Sequence, residues 1–294
     1  MQFSLWPDMG RSPADTLELA RWADTNGWFG VWYADHYLPN TGDTSIEPGD
    51  VHECWAMLPA IAAVTTHVRI GPLVSPTSVH HPAVLANRAA SLDHLSNGRF
   101  VLGIGAGWQI NEHAAYGIEL EPPGPRVTRF EEAIQIIRSL LAEPRTTFAG
   151  QVYRITDAPA DPKPVQSPLP ILVGTGRPRM LDITARFADE WNTWGTPETA
   201  APKRAGLIAA AERVGRDPAD LHTSVNAMVE LGDQPGPPDR PVLSGSPAQV
   251  ADQLGRLAEL GFDEFILPDW TLGDTNPERL DQLARIQTDV FGQL

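Results

Sequence analysis

The chain has 294 residues, 42% of them hydrophobic and 20% charged, a balance that excludes disorder as its main state. Its formal net charge of −15 repels nucleic acid and anionic lipid, which leaves a small molecule as the expected partner. Cys54 is the only cysteine, residues 1–8 lack the basic start of a signal peptide, and no apolar run approaches the ~20 residues that cross a bilayer, so a cytoplasmic location is expected.

Short runs of β-branched and aromatic residues alternate with segments of helical apolar spacing. Residues 2–6 form a first strand, after which Ser12 caps a helix and Pro13 opens it, at a position whose N–H has no acceptor within the helix. Residues 28–33 form the second strand, 52–66 a helix and 68–75 the third strand. The helix over 82–95 follows, with Val84, Leu85, Ala89 and Leu92 spaced for one buried face. Residues 100–103 form the fourth strand, with a short helix near 110–116 and a longer one over 127–141. Residues 147–155 suggest a small inserted hairpin ahead of the fifth strand, 170–174. Next come a helix over 180–187, a strand over 190–194, and a helix capped at Thr196 that runs to about Val214. The seventh strand spans 222–231, and residues 232–244, rich in Pro, Gly and Asp, read as a long loop. Ser246 and Pro247 open a helix, residues 262–268 form the eighth strand, and Asn276 and Pro277 open the last helix.

Eight strands alternating with eight helices predict an α/β protein whose residues 1–294 form a single (β/α)8 TIM barrel with short insertions. A doubly wound open sheet is the rival. It is disfavoured because the run Gly103, Gly105 and Trp108 places tryptophan where a dinucleotide fingerprint needs its third glycine.

Barrels of this kind place function where strands end. Seven of the nine tryptophans (Trp6, Trp32, Trp55, Trp108, Trp191, Trp194 and Trp270) fall at or near those positions, a ring suited to a flat conjugated ligand. Taken singly, most would serve simply to plug the barrel. Asp35 and His36 follow the second strand; a histidine titrates near neutrality and an adjacent carboxylate can orient it. Gly174, Thr175 and Gly176 precede a helix with Arg177 and Arg179 nearby, a pattern that cradles an anion and also serves as an ordinary tight turn. Glu112, in Asn111-Glu112-His113, fits an acid and a helix-capping carboxylate equally well. His80 and His81, read as diverging on a helix, do not make a metal site, and no His-Glu-x-x-His or paired-cysteine spacing occurs, so no metal is expected. A nucleophile elbow and a Walker loop are also absent from the sequence.

The runs 68–77, 81–86, 92–100 and 102–108 together resemble the bacterial luciferase-like family, as do Asn111-Glu112-His113, Gly117-Ile118, Arg129-Phe130-Glu131-Glu132, residues 170–174 and residues 188–192. The match runs in order along nearly the whole chain. Ala34-Asp35-His36 resembles the branch that uses coenzyme F420, a 5-deazaflavin, where flavin monooxygenases often show Glu-His-His. The resemblance implies an oxidoreductase that moves a hydride between C5 of the deazaflavin and a small organic substrate. The same scaffold also carries FMN-dependent monooxygenases, and a non-catalytic flavin-binding relative is a further alternative.

Carried onto this chain, the resemblance makes His36 the proton-transfer group, with Asp35 holding it beside the cofactor; Glu112 is a further candidate catalytic acid from its place after the fourth strand. Pro72, Leu73 and Ser75 would form a bulge propping the ring, with a cis peptide at Pro72–Leu73. Gly105, Gly107 and Asn111 would border the ring or its side chain, and Gly174, Thr175 and Gly176 would hold the phosphate through backbone N–H groups. Trp108 stands where some relatives carry a catalytic glutamate, a departure that argues against a sugar-phosphate dehydrogenase. Relatives of this kind are usually dimers, so a homodimer is expected.

Overall fold

The computed structural model describes residues 1–232 and 240–294. The expected alternation is present: β1 (Gln2–Trp6), α1 (Pro13–Thr25), β2 (Gly30–Tyr33), α2 (Cys54–Val64), β3 (Arg69–Pro72), β4 (Ser75–Pro76), α3 (Pro82–Ser96) and β5 (Leu102–Gly105). Then come α4 (Ile110–Tyr116), α5 (Pro123–Ala142), the hairpin β6 (Thr146–Ala149) and β7 (Arg154–Ala158), β8 (Ile171–Gly174), α6 (Pro178–Phe187), β9 (Glu190–Trp194) and α7 (Pro197–Arg213). The described chain closes with β10 (His222–Asn226), β11 (Met228–Leu231), β12 (Val242–Gly245), α8 (Pro247–Glu259), β13 (Glu264–Pro268) and α9 (Asn276–Asp289).

The main sheet runs β3-β2-β1-β13-β10-β9-β8-β5-β4, and its neighbouring strands pair in parallel. A bridge between Ile70 and Phe100 joins the two edges, so the sheet closes into a barrel. Helices pack outside it, because parallel strands need crossovers. Seven of the helices carry a proline in their first two positions, where its fixed φ favours the first turn. Ser246 and Gln249 complete a capping box on α8, each side chain bonding the other's backbone N–H.

Two expected strands are not continuous. The third breaks into β3, which pairs with β2, and β4, which pairs with β5, around a bulge at Leu73 and Val74. The cis peptide lies in that bulge at Leu73–Val74, one residue beyond the expected Pro72–Leu73. The seventh breaks after Asn226; β11 leaves the barrel and pairs with β12, which occupies part of the expected loop over 232–244. Of that loop, residues 233–239 lie outside the described residues. The strand expected at 100–103 is shifted to 102–105, since Phe100 belongs to the closing bridge.

Beside the bulge, β3 and β5 approach so closely that a Cβ at Gly103 would lie 2.0 Å from the Pro72 carbonyl oxygen. Backbone on both sides cannot yield, so Gly103→Ala should cost about 3 kcal/mol or more, read as a lowered denaturation midpoint. The run 92–100, prominent in the family resemblance, is structural: Asn97 adopts a left-handed conformation, and Arg99 donates to carbonyls of Ala62, Thr65, Val68 and Ser96. That guanidinium ties the ends of α2 and α3 to the start of β3.

The closed end of the barrel, where strands begin, holds a buried ion network. Arg69 pairs with Glu190 and lies 3.9 Å from Glu264, while Glu264 also accepts from Trp32 Nε1 at 2.8 Å and contacts His222 Nε2 at 3.1 Å. Trp32, expected at the rim, is therefore a plug at the opposite end. The network also departs from the expectation of no metal-like cluster: one ligating atom each from Glu190, His222 and Glu264 lie within 4.8 Å of one another. Arg69 supplies a cation there already.

Candidate active site

The strand ends surround two adjoining cavities. The larger, about 630 Å³, is lined by His36 and Met9, by Trp6, Trp194 and Trp270, and by the loops carrying Pro39 and Val51. The smaller, about 490 Å³, lies over Val74, Gly174, Thr175 and Gly176, with Arg177 and Lys203 at its wall. Trp108 and Trp194 line both. Trp191 is instead buried against Phe262, with its N–H on the Thr175 carbonyl, and Trp55 lies on α2.

Asp35 and His36, adjacent in sequence, take different partners. The Asp35 carboxylate is buried, and its Oδ2 accepts from Ser75 Oγ, Trp55 Nε1 (3.0 Å) and His80 Nε2 (2.9 Å). Burial favours its neutral acid, but His80, Ser75 and the charge of His36 outweigh that and hold the carboxyl below its ordinary value. His36 Nδ1 lies 3.0 Å from Glu112 Oε1, and the second Glu112 oxygen accepts the Tyr37 N–H at 2.8 Å. Glu112, not Asp35, holds His36. With Nδ1 engaged by Glu112, Nε2 is the ring nitrogen left to exchange a proton. Among the described residues Nε2 makes no hydrogen bond.

Neighbours of Glu112 explain how it is placed. Asn111 is buried and donates to the Pro39 carbonyl at 2.7 Å, and His113 Nε2 meets Ser78 Oγ at 2.9 Å. Three successive residues of α4 thus fasten three segments: Pro39, His36-Tyr37 and Ser78. Asn111 lines neither cavity, and its hydrogen bond to the Pro39 carbonyl braces the loop beside the larger one. Gly107, at φ +91°, lies where a Cβ would be 2.1 Å from Ser78 Oγ. Gly105 lies where a Cβ would be 2.8 Å from Val74, so both glycines let the bulge and the β5 loop pack closely. Pro72, Leu73 and Ser75 frame the bulge itself, and Leu73 donates its N–H to the Tyr33 carbonyl at 2.8 Å.

At the smaller cavity, part of the backbone cradle is already engaged. Thr175 N–H donates to the Asn192 carbonyl (3.1 Å), and Pro178 has no N–H to offer. Positive charge comes instead from Arg177 and from Lys203, whose ammonium donates to the Trp194 carbonyl at 2.7 Å and whose pKa burial pushes down. Lys203 was passed over in the sequence, although it is one of two lysines in the chain. His80 was missed as well, because it precedes α3 and turns to Asp35 instead of lying on the helix.

The matches to known proteins follow this geometry. The model of the family described as luciferase-like monooxygenase matches residues 1–236. The chain belongs to the luciferase-like family. It is 30% identical over 270 residues to the F420-dependent hydroxymycolic acid dehydrogenase of Mycobacterium tuberculosis, covering 88% of this chain and 71% of that one. It is 36% identical over 180 residues to the F420-dependent glucose-6-phosphate dehydrogenase of Amycolatopsis mediterranei, covering 60% of this chain and only 52% of the relative. In fold, this luciferase-like barrel matches a solved F420-dependent secondary alcohol dehydrogenase with a TM-score of 0.84 at 19% identity, over 98% of each chain. Among the described residues of the barrel, no helix is long and apolar enough to cross a membrane.

Proposed function

We propose that this luciferase-like protein is a coenzyme F420-dependent oxidoreductase acting on a small alcohol or carbonyl compound. The observation that carries the reading is the His36–Glu112 pair, which leaves an imidazole nitrogen free as a proton acceptor at the wall of a 630 Å³ cavity. Relatives named as F420-dependent dehydrogenases support the choice of cofactor.

The residues present fit a deazaflavin. Among the described residues, buried polar atoms without partners occur at the strand ends around the bulge and the smaller cavity: Asp35 Oδ1, Thr77 Oγ1 and Asn226 Nδ2. Buried groups of this kind are normally satisfied, so a polar ring seated there would supply what they lack. The bulge at Leu73 and Val74 would support that ring, and Lys203 and Arg177 would hold its phosphate beside Gly174, Thr175 and Gly176. When bound, the deazaflavin accepts or donates a hydride at C5.

The chain's own residues handle the proton. His36 Nε2 takes the hydroxyl proton as an alcohol is oxidised, or returns it as a carbonyl is reduced. Glu112 fixes the ring and stabilises the imidazolium that forms, and Tyr37 N–H fixes Glu112. Asp35 acts one step away, fastening Ser75 and His80 around the bulge.

Titrating the purified protein with coenzyme F420 and, separately, with FMN tests the cofactor. Binding of F420 at least about tenfold tighter than FMN is expected, a difference of about 1.4 kcal/mol. Tight FMN binding with none for F420 would reverse the assignment in favour of a flavin monooxygenase.

A further inference from the structure

We propose that the larger cavity selects an uncharged, apolar, ring-bearing alcohol or ketone, and that Trp108 is the residue that sets this preference. The inference rests on the reading of the barrel as a deazaflavin-dependent oxidoreductase and names its substrate class.

The walls favour apolar rings. Trp6, Trp194 and Trp270 contact one another with centroids 5.2–5.7 Å apart and mutual tilts of 41°, 65° and 50°. Tilted in this way they form a concave aromatic surface rather than a parallel slot, and Met9 and Val51 extend it. A cavity of about 630 Å³ takes a compound larger than a simple short-chain alcohol.

The charges disfavour a phosphorylated substrate. Among the described lining residues Arg240 is the only arginine or lysine, and Asp8 and Asp50 line the same space. The Arg240 guanidinium is stacked over Trp194 and Trp270, 5.2 and 5.5 Å from their ring centroids, and so forms part of the aromatic wall. Lys203 and Arg177 line the other cavity, where the cofactor phosphate takes them. A dianionic phosphate in the larger cavity would meet two carboxylates for one guanidinium.

Trp108 occupies the position that makes this selection. Its indole stands edge-on to His36, centroids 5.5 Å apart at 84°, and lines both cavities. It is nevertheless 52% exposed, and Ile110 and Tyr116 just beyond it are 45% and 55% exposed. A half-exposed indole beside the proton acceptor has an open surface for a substrate's carbon frame, since the oxygen of any substrate must reach His36. Covering that surface removes apolar area from water. A carboxylate at the same position would instead favour polyhydroxylated substrates through hydrogen bonds.

Calorimetric titration of the protein with 1-tetralol and with glucose 6-phosphate tests the inference, with and without saturating F420. Tetralol is expected to bind at least about tenfold tighter than glucose 6-phosphate; Trp108→Ala should weaken tetralol about tenfold, and Trp108→Phe should recover most of the loss. Because Trp108 is half exposed, neither variant threatens folding, and near-UV circular dichroism checks that. Glucose 6-phosphate binding as tightly as tetralol, or tetralol affinity unchanged in Trp108→Ala, would overturn the inference. F420 fluorescence is followed in parallel so that the two readings fail separately. Tetralol binding without F420 binding would refute the cofactor and uphold the cavity's preference, while F420 binding without tetralol binding would refute the preference alone.

Discussion

Replacing His36 with alanine is expected to lower kcat by about 10²–10⁴-fold, the usual contribution of a positioned acid–base group, while F420 still binds. The reason is geometric. His36 is the residue at the cavity wall whose ring is held at one nitrogen and left unbonded at the other. Glu112→Gln should act through the same ring. The amide keeps the shape but loses the charge that stabilises the imidazolium, a loss of about 1.5–3 kcal/mol, or roughly 10–100-fold in kcat. Asp35→Asn should behave differently, because Asp35 bonds Ser75, Trp55 and His80 rather than His36. Its effect should fall mainly on F420 affinity. Steady-state kinetics with a turned-over substrate, beside cofactor titrations, separate the three. A His36→Ala enzyme within about threefold of wild-type kcat would remove His36 from the chemistry.

Arg69→Met is expected to cost about 3–5 kcal/mol of stability, because it strands two buried carboxylates. Glu264 is fully buried and Glu190 nearly so, and Arg69 is the guanidinium both face. The removal of one partner is what costs; methionine keeps an apolar stem, while the guanidinium stacked over Phe29 at 4.9 Å is lost with the charge. Equilibrium unfolding in urea measures it, and a change below about 1 kcal/mol would show the network to be solvated.

The same network gives stability a pH dependence through His222. Burial works against its imidazolium, but the Glu264 hydrogen bond and the charges of Glu190 and Glu264 outweigh burial and raise its pKa above the ordinary 6.5. The folded state then holds the proton more tightly than the unfolded chain. This contribution is complete below about pH 6.5 and is lost as pH rises through the folded-state value. His222→Gln should flatten that part of the stability profile.

Much of this protein was legible in its sequence. Alternation of strand and helix signals, with proline at helix starts, specifies a closed parallel barrel, because parallel strands require crossovers and eight such units close. Reading only the strand ends then picks out His36, Glu112, Trp108 and the turn at Gly174, Thr175 and Gly176, since a barrel gathers those positions at one mouth. Partnership was not legible. Asp35 was the natural holder of His36 by adjacency, yet neighbouring residues at a strand end diverge, and the holder came from 76 positions away. For the same reason His80 joined Asp35, Lys203 reached the turn at Gly174, Thr175 and Gly176, and Trp32, an inward residue of β2, faced the closed end rather than the mouth. Local pattern determines which residues reach a face or an end of the barrel; which of them meet there depends on register and loop packing, and only the folded chain decides that.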